Sequence, residues 1–143
     1  MKIYLDTNIY CRPLDDCTQS RIALEAEACL IILQLIESNK LKTLGSDILL
    51  YELLQTDKIK QSYVMQFAKF WQSQVHFSNK IVRDAEIIQN KLKLKSRDAL
   101  HFVSAISDGS QYILTCDDEF IAKTKKFGKI KVVNPIDFVK EIL

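Results

Sequence analysis

Four stretches of the chain place an acid where it could do chemistry. Asp6 ends a short apolar run, Lys2 to Leu5, that breaks off at Asp6-Thr7-Asn8. Asp117 and Asp118 follow a second apolar run, Tyr112 to Leu114, after Thr115-Cys116. Glu52 sits in Ile48-Leu49-Leu50-Tyr51-Glu52-Leu53-Leu54, where its neighbours are apolar almost all round. An ionised carboxylate there must be solvated, paired or bound to a cation, because burying it alone is expensive. Asp98 opens a segment carrying Ala99, Phe102, Val103 and Ile106, with His101 one turn further on the same face. Taken singly, Asp6 is equally a turn residue, Asp117 or Asp118 an N-cap, and Glu52 a member of a narrow polar stripe. His101 reads as a hydrogen-bonded packing residue ahead of a ligand. Taken together, carboxylates gathered at one edge repel one another unless a cation neutralises them. Hard cations such as Mg²⁺ or Mn²⁺ prefer such oxygens and suit hydrolysis of a phosphodiester by an activated water. No Gly-rich phosphate loop, serine nucleophile elbow or dinucleotide fingerprint competes with that chemistry.

The elements that would position these acids alternate in type. Residues 2–5 predict a strand that enters a loop. From Ser20, the spacing of Ile22, Ala26, Cys29, Leu30, Leu33 and Ile36 predicts a helix ending at Ser38-Asn39. A second strand is expected over 41–44, closed by Gly45, and Ser46 is a good N-cap for the helix that carries Glu52, with Asp47 in its first turn. A helix over about 58–71 and a weak strand over 74–77 follow. Ile81, Ala85, Ile88 and Leu92 mark another helix, and Ser96 can cap the one after it, which Asp108-Gly109 stops. Strands over 112–114 and 130–133 flank a short helix ended by Gly128, and Pro135 can open a last helix over 136–142. This order predicts an α/β fold with a mostly parallel sheet, in one domain spanning 1–143. Ligands of such sheets bind outside the carboxyl ends of the strands, which is where Asp6 and Asp117 fall.

Composition narrows the classes. The chain has 143 residues, 48% of them hydrophobic and 27% charged, with 3 Gly and 2 Pro, the mix of a globular domain without linkers or low-complexity tracts. The longest apolar runs are too short to span a bilayer, and a charge follows the third apolar residue at the N-terminus, so a cytoplasmic protein is expected. A net charge of +2 is too small to require a nucleic-acid partner. Basic residues nevertheless cluster at Lys123, Lys125, Lys126, Lys129 and Lys131, and again at Lys91, Lys93, Lys95 and Arg97. Each run is either a solvated surface or a phosphate-facing patch, with Lys125 and Lys126 the candidates for gripping phosphates. Cys11, Cys17, Cys29 and Cys116 have no zinc-type spacing and are expected to be free, buried, small hydrophobic residues.

At these residues the chain resembles the PIN-domain family, and within it the toxin ribonucleases of the VapC type. The pieces are Leu5-Asp6-Thr7-Asn8, Ser46 followed by Glu52, Asp98-Ala99-Leu100-His101, and Leu114-Thr115-Cys116-Asp117-Asp118-Glu119-Phe120, in the family's order over most of the chain. The resemblance implies a Rossmann-like three-layer α/β/α sandwich and a metal-dependent endoribonuclease. Asp6, Glu52 and Asp98 match the three metal-binding acids, and Asp117, in Thr-x-Asp-x-x-Phe, matches the fourth. Asn8 and Thr115 match supporting polar residues, and Asp118 is a substitute for the fourth acid. The resemblance also implies RNA as substrate, a homodimer, and a small antitoxin as partner for toxin-type members.

Cys11-Arg12-Pro13-Leu14-Asp15-Asp16 forms a charged loop beside Asp6 that is untypical of the short toxins, and Arg12 either holds a substrate phosphate or pairs with Asp15 or Asp16. The rival reading is a non-catalytic RNA-binding or protein-interaction module on the same fold. A phosphatase of the aspartyl-phosphate type is disfavoured, because Asp6-Thr7-Asn8 lacks the second acid it would need.

Overall fold

In a computed structural model of residues 1–143, five strands pair in parallel throughout. They are β1 (Lys2–Leu5), β2 (Lys42–Ser46), β3 (Trp71–Val75), β4 (Tyr112–Leu114) and β5 (Lys131–Val133), in the order β3-β2-β1-β4-β5. Side chains alternate across the sheet with the period of two that a strand imposes. Ile3, Leu5 and Leu114 enter one core cluster, while Tyr4, Leu44, Ile113 and Val132 enter the other. The first cluster is completed by α1 (Thr7–Cys11), α2 (Ser20–Glu37), α3 (Asp47–Leu54), α4 (Lys58–Met65) and α8 (Pro135–Ile142). The second is completed by α5 (Asn79–Leu92), α6 (Ser96–Ser107) and α7 (Asp118–Thr124). The result is a three-layer α/β/α sandwich. No helix is long and apolar enough to cross a membrane.

Chain order turns back at the centre of the sheet. β2 and β3 run outward on one side of β1, and β4 and β5 on the other. The carboxyl ends of β1 and β4 therefore flank the switch point at which such sheets open a crevice.

Five local expectations fail. The loop expected over 11–16 is helical at its start: α1 runs to Cys11 and a 3₁₀ turn spans Arg12–Leu14. Asp6 is an N-cap, its side chain accepting from the Thr7 N–H, and Ile9, Tyr10 and Cys11 are buried. The helix expected over 58–71 stops at Met65, and Trp71 starts β3, paired with Thr43. The Trp71 ring occupies the space over Gly45, where a Cβ would lie 2.2 Å from Cε3, so Gly45 belongs inside β2 rather than closing it. Ser96 is the first helical residue of α6, and Lys95 occupies the cap position with no side-chain bond. The cysteines are free as expected, but Cys17 is exposed.

Candidate functional site

The site is built outward from the end of β1. The Asp6 N–H continues the sheet by donating to the Leu114 carbonyl at 3.0 Å. Its side chain, 6% exposed with the rest of the residue, accepts from the Thr7 N–H at 2.7 Å and from the Thr115 hydroxyl at 2.7 Å. Asn8 ties the two strand ends together. Its Nδ2 donates to Asp6 Oδ2 at 3.3 Å and to Thr115 Oγ1 at 3.2 Å, and its Oδ1 accepts from the Cys116 N–H at 3.1 Å. Thr115 Oγ1 also accepts from the Asp117 N–H at 3.1 Å. Asp117 Oδ1 caps α7 by accepting from Glu119 N–H at 3.0 Å and Phe120 N–H at 3.3 Å, the usual role of Asp at a helix start.

Glu52 arrives on α3. Ser46 caps that helix, its Oγ accepting from the Leu49 N–H at 3.1 Å. Asp47 clamps the helix start to the end of β3, accepting from Gln74 Nε2 and the Phe77 N–H, both at 2.8 Å. Glu52 Oε1 accepts from Thr7 Oγ1 at 2.8 Å and from His101 Nε2, while its Oε2 lies 3.8 Å from Arg97 Nε. Asp98, in the first turn of α6, is buried, yet its carboxylate has no hydrogen-bond or ion-pair partner in the protein.

Charge at this end of the sheet is unbalanced. Burial pushes the Asp98 carboxyl up to about 6, and the negative charges of Asp6 and Asp117 push in the same direction. Burial also raises Asp6, with Glu52 adding to it, although His101 and Thr115 oppose the shift. Burial works against ionised Glu52, but His101, Thr7 and Arg97 outweigh it and hold the carboxyl below its ordinary value. Burial likewise works against a charged His101, but Asp6, Glu52 and Asp98 raise its pKa.

Asp6, Glu52, Asp98 and Asp117 all line one cavity of about 580 Å³. They come from the residue after β1, α3, α6 and the turn after β4, and span positions 6 to 117. The tightest group within it is different from the four acids expected. Asp6, Glu52 and His101 each offer an N or O atom, all within 4.8 Å of one another, and that trio lacks Asp98 and Asp117. Asn8 is on the cavity wall and Thr115 is buried behind it.

Other expected residues lie elsewhere. Asp118 is held at the surface by Arg21, whose guanidinium donates to both oxygens at 2.8 and 2.7 Å. Arg12 pairs with Asp15 at 2.9 Å and lies 3.4 Å from Glu25, and it does not line the cavity. Lys125 and Lys126 do not line it either. The basic side chains on its wall are Lys60 and Arg97, joined by Tyr51, Gln55 and Thr56. Of these only Arg97 belonged to a basic run that the sequence marked. Lys60 stands on α4 without a motif around it.

The fold is similar to that of two solved structures. One is described as VapBC2 from Rickettsia felis bound to a DNA fragment from their promoter. It shares 18% identity over 94% of this chain and 98% of that one, with a TM-score of 0.59. The other is FitAcB from Neisseria gonorrhoeae, with 17% identity over 93% of this chain and 97% of that one, and a TM-score of 0.63. No family model and no curated protein matches the chain. These likenesses show a shared fold alone. Membership of the PIN-domain family and its VapC type, which the sequence motifs implied, is corrected accordingly: identity below one fifth and the missing family match leave it without support.

Proposed function

We propose that the chain is a hydrolase of RNA phosphodiester bonds that depends on a divalent cation, Mg²⁺ or Mn²⁺, held by Asp6, Glu52, Asp98 and Asp117. The observation that carries this reading is Asp98. Asp98, a buried residue whose carboxylate has no protein partner and is pushed up to about 6, faces a cavity also lined by Asp6, Asp15, Glu52 and Asp117. The donor set fits a hard cation, because it consists of carboxylate oxygens with room for water and substrate oxygens beside them. When bound, such a cation supplies Lewis acidity at a phosphodiester and acidifies a water.

The protein's own groups divide the remaining work. Asn8 and Thr115 hold the Asp6 carboxylate in one orientation, and Asp117 is fixed by the N-terminal amides of α7. Lys60 and Arg97, on the cavity wall, offer cationic contacts to substrate phosphates. The fold shared with VapBC2 and FitAcB supports a toxin–antitoxin context, with a small antitoxin protein as partner.

A nuclease assay on the purified chain tests this. RNA is cut with Mg²⁺ or Mn²⁺, cutting stops in chelator, and Asp6→Asn loses about 100-fold or more of the rate. Equal cutting by Asp6→Asn would place the chemistry outside this cavity, and no cutting by wild type with either cation favours the non-catalytic binding module.

A further inference from the structure

We infer that His101 is a positioning residue for Glu52 and not a ligand: a one-way chain of hydrogen bonds through Ser46 and Tyr4 fixes its ring with the Nε2 hydrogen aimed at Glu52. This rests on the cation-dependent reading of the same cavity and assigns one of its three closest groups a different task. The trio of Asp6, Glu52 and His101 would by spacing alone pass for a complete ligand set.

The direction of the chain follows from counting hydrogens. Ser46 Oγ accepts from the Leu49 N–H at 3.1 Å, and its only other partner is the Tyr4 hydroxyl at 2.7 Å. Tyr4 Oη has one further partner, His101 Nδ1, at 2.5 Å. Ser46, Tyr4 and His101 are all 0% exposed, so no solvent stands by to take a stranded hydrogen. The Ser46 hydroxyl must therefore donate to Tyr4, which leaves the Tyr4 hydroxyl to donate to Nδ1. Nδ1 is then the acceptor nitrogen, and the ring hydrogen sits on Nε2.

The far end of the chain gives the same answer independently. Nε2 faces Oε1 of Glu52, and an ionised carboxylate only accepts. A bare nitrogen there would set two lone pairs against each other. For Nε2 to bind a cation, the hydrogen would have to move to Nδ1. Tyr4 would then donate to Ser46, and the Ser46 hydrogen would be buried without an acceptor.

The consequence for Glu52 is directional. Thr7 Oγ1 and His101 Nε2 both donate to Oε1, so that oxygen is spoken for. Oε2, whose only neighbour of opposite charge is Arg97 Nε at 3.8 Å, is the oxygen left for a cation or substrate. A residue on β1, whose ring points into the core layer opposite α3, thereby sets the orientation of a carboxylate on α3.

Long-range proton–nitrogen NMR of the ¹⁵N-histidine-labelled full chain at neutral pH, without and with Mg²⁺, reads the ring directly. His76 supplies the second signal, and His76→Gln assigns it. The expected result is a hydrogen on His101 Nε2 and a bare Nδ1 in both conditions. A hydrogen on Nδ1 or a bare Nε2 in either, above all a bare Nε2 that appears with Mg²⁺, overturns the inference. In parallel, Tyr4→Phe removes the donor to Nδ1 and is expected to weaken Mg²⁺ binding about tenfold. Unchanged Mg²⁺ affinity in folded Tyr4→Phe also overturns it, because a merely structural tyrosine would alter stability alone. If wild type binds no Mg²⁺, the cation reading fails separately. The ring state in Mg²⁺-free protein then decides, Nε2–H with a bare Nδ1 supporting the wiring and any hydrogen on Nδ1 refuting it.

Discussion

Two buried acids of this protein have opposite surroundings. Glu25, on α2, is 1% exposed and is matched from three sides: Asn134 Nδ2 donates to it at 2.6 Å, and Arg12 and Arg21 each bring Nε to 3.4 Å. Asp98, on α6, is 7% exposed and has no such partner. Burying a charge is tolerated when it is paired and hydrogen-bonded, and Glu25 meets that condition inside the chain. Asp98 does not, and its neighbours Asp6 and Asp117 carry the same sign. The first acid is complete as folded, whereas the second is complete only with something the chain does not supply. Burial by itself therefore does not tell the two acids apart, but the match of charge around them does.

The comparison breaks most visibly at Glu25. Glu25→Ala leaves the half-buried Arg12 without its buried partner and costs about 3 kcal/mol of stability, measured by denaturant unfolding. A loss under about 1 kcal/mol would mean that Asp15 alone satisfies Arg12, and the contrast would weaken.

Asp98→Asn acts in the other direction. The folded-state carboxyl titrates at about 6 against an ordinary 3.8, so the native chain holds that proton more tightly than the unfolded one. Its unfavourable contribution is absent below pH ~4, grows between pH ~4 and ~6, and is complete above that window. Cavity water screens the charge, so the full value at neutral pH is about 1 kcal/mol rather than the larger figure the shift alone would imply. In chelator, Asp98→Asn is expected to be more stable than wild type by that amount at pH 7, with no advantage at pH 4. A variant that is less stable at every pH would make Asp98 a structural residue of the helix start.

The smallest effects sharpen the comparison at the surface. Replacing Lys60 and Arg97 by Gln is expected to reduce the slope of log K against log salt for single-stranded RNA by about 1.4, two contacts at roughly 0.7 each. Lys125→Gln with Lys126→Gln, away from the cavity, is expected to leave the slope unchanged. The reverse pattern in a binding titration would move the substrate path to the lysine-rich segment.

Most of the layer order was legible from the chain because its helices announce their ends locally. Ser46 caps α3, Pro135 opens α8, and Gly109 takes φ 74 just after α6. What failed depends on distant partners. Trp71 continues an apolar helical spacing, and only its packing over Gly45 and the hydrogen bond from its Nε1 to Tyr10 make it a strand residue. Asp6-Thr7-Asn8 has the composition of a turn, and the same composition caps a helix. Asp6, Asp98 and Asp117 were legible by type and position at element ends, and Glu52 as an acid among apolar neighbours. Lys60 was not, because a lone lysine on an exposed helix carries no signal. For His101 the sequence suggested a hydrogen-bonded residue ahead of a ligand but not its partners, since Tyr4 lies 97 residues away from it.

Thermal unfolding with increasing Mg²⁺, run on wild type and Asp98→Asn side by side, tests most directly whether a cation is what Asp98 lacks. Wild type is expected to gain stability with Mg²⁺, by about 2.7 kcal/mol at a hundredfold excess over its dissociation constant. Asp98→Asn, already relieved of the repulsion, is expected to gain little. Equal gains in the two proteins, or no gain in wild type, would contradict the account.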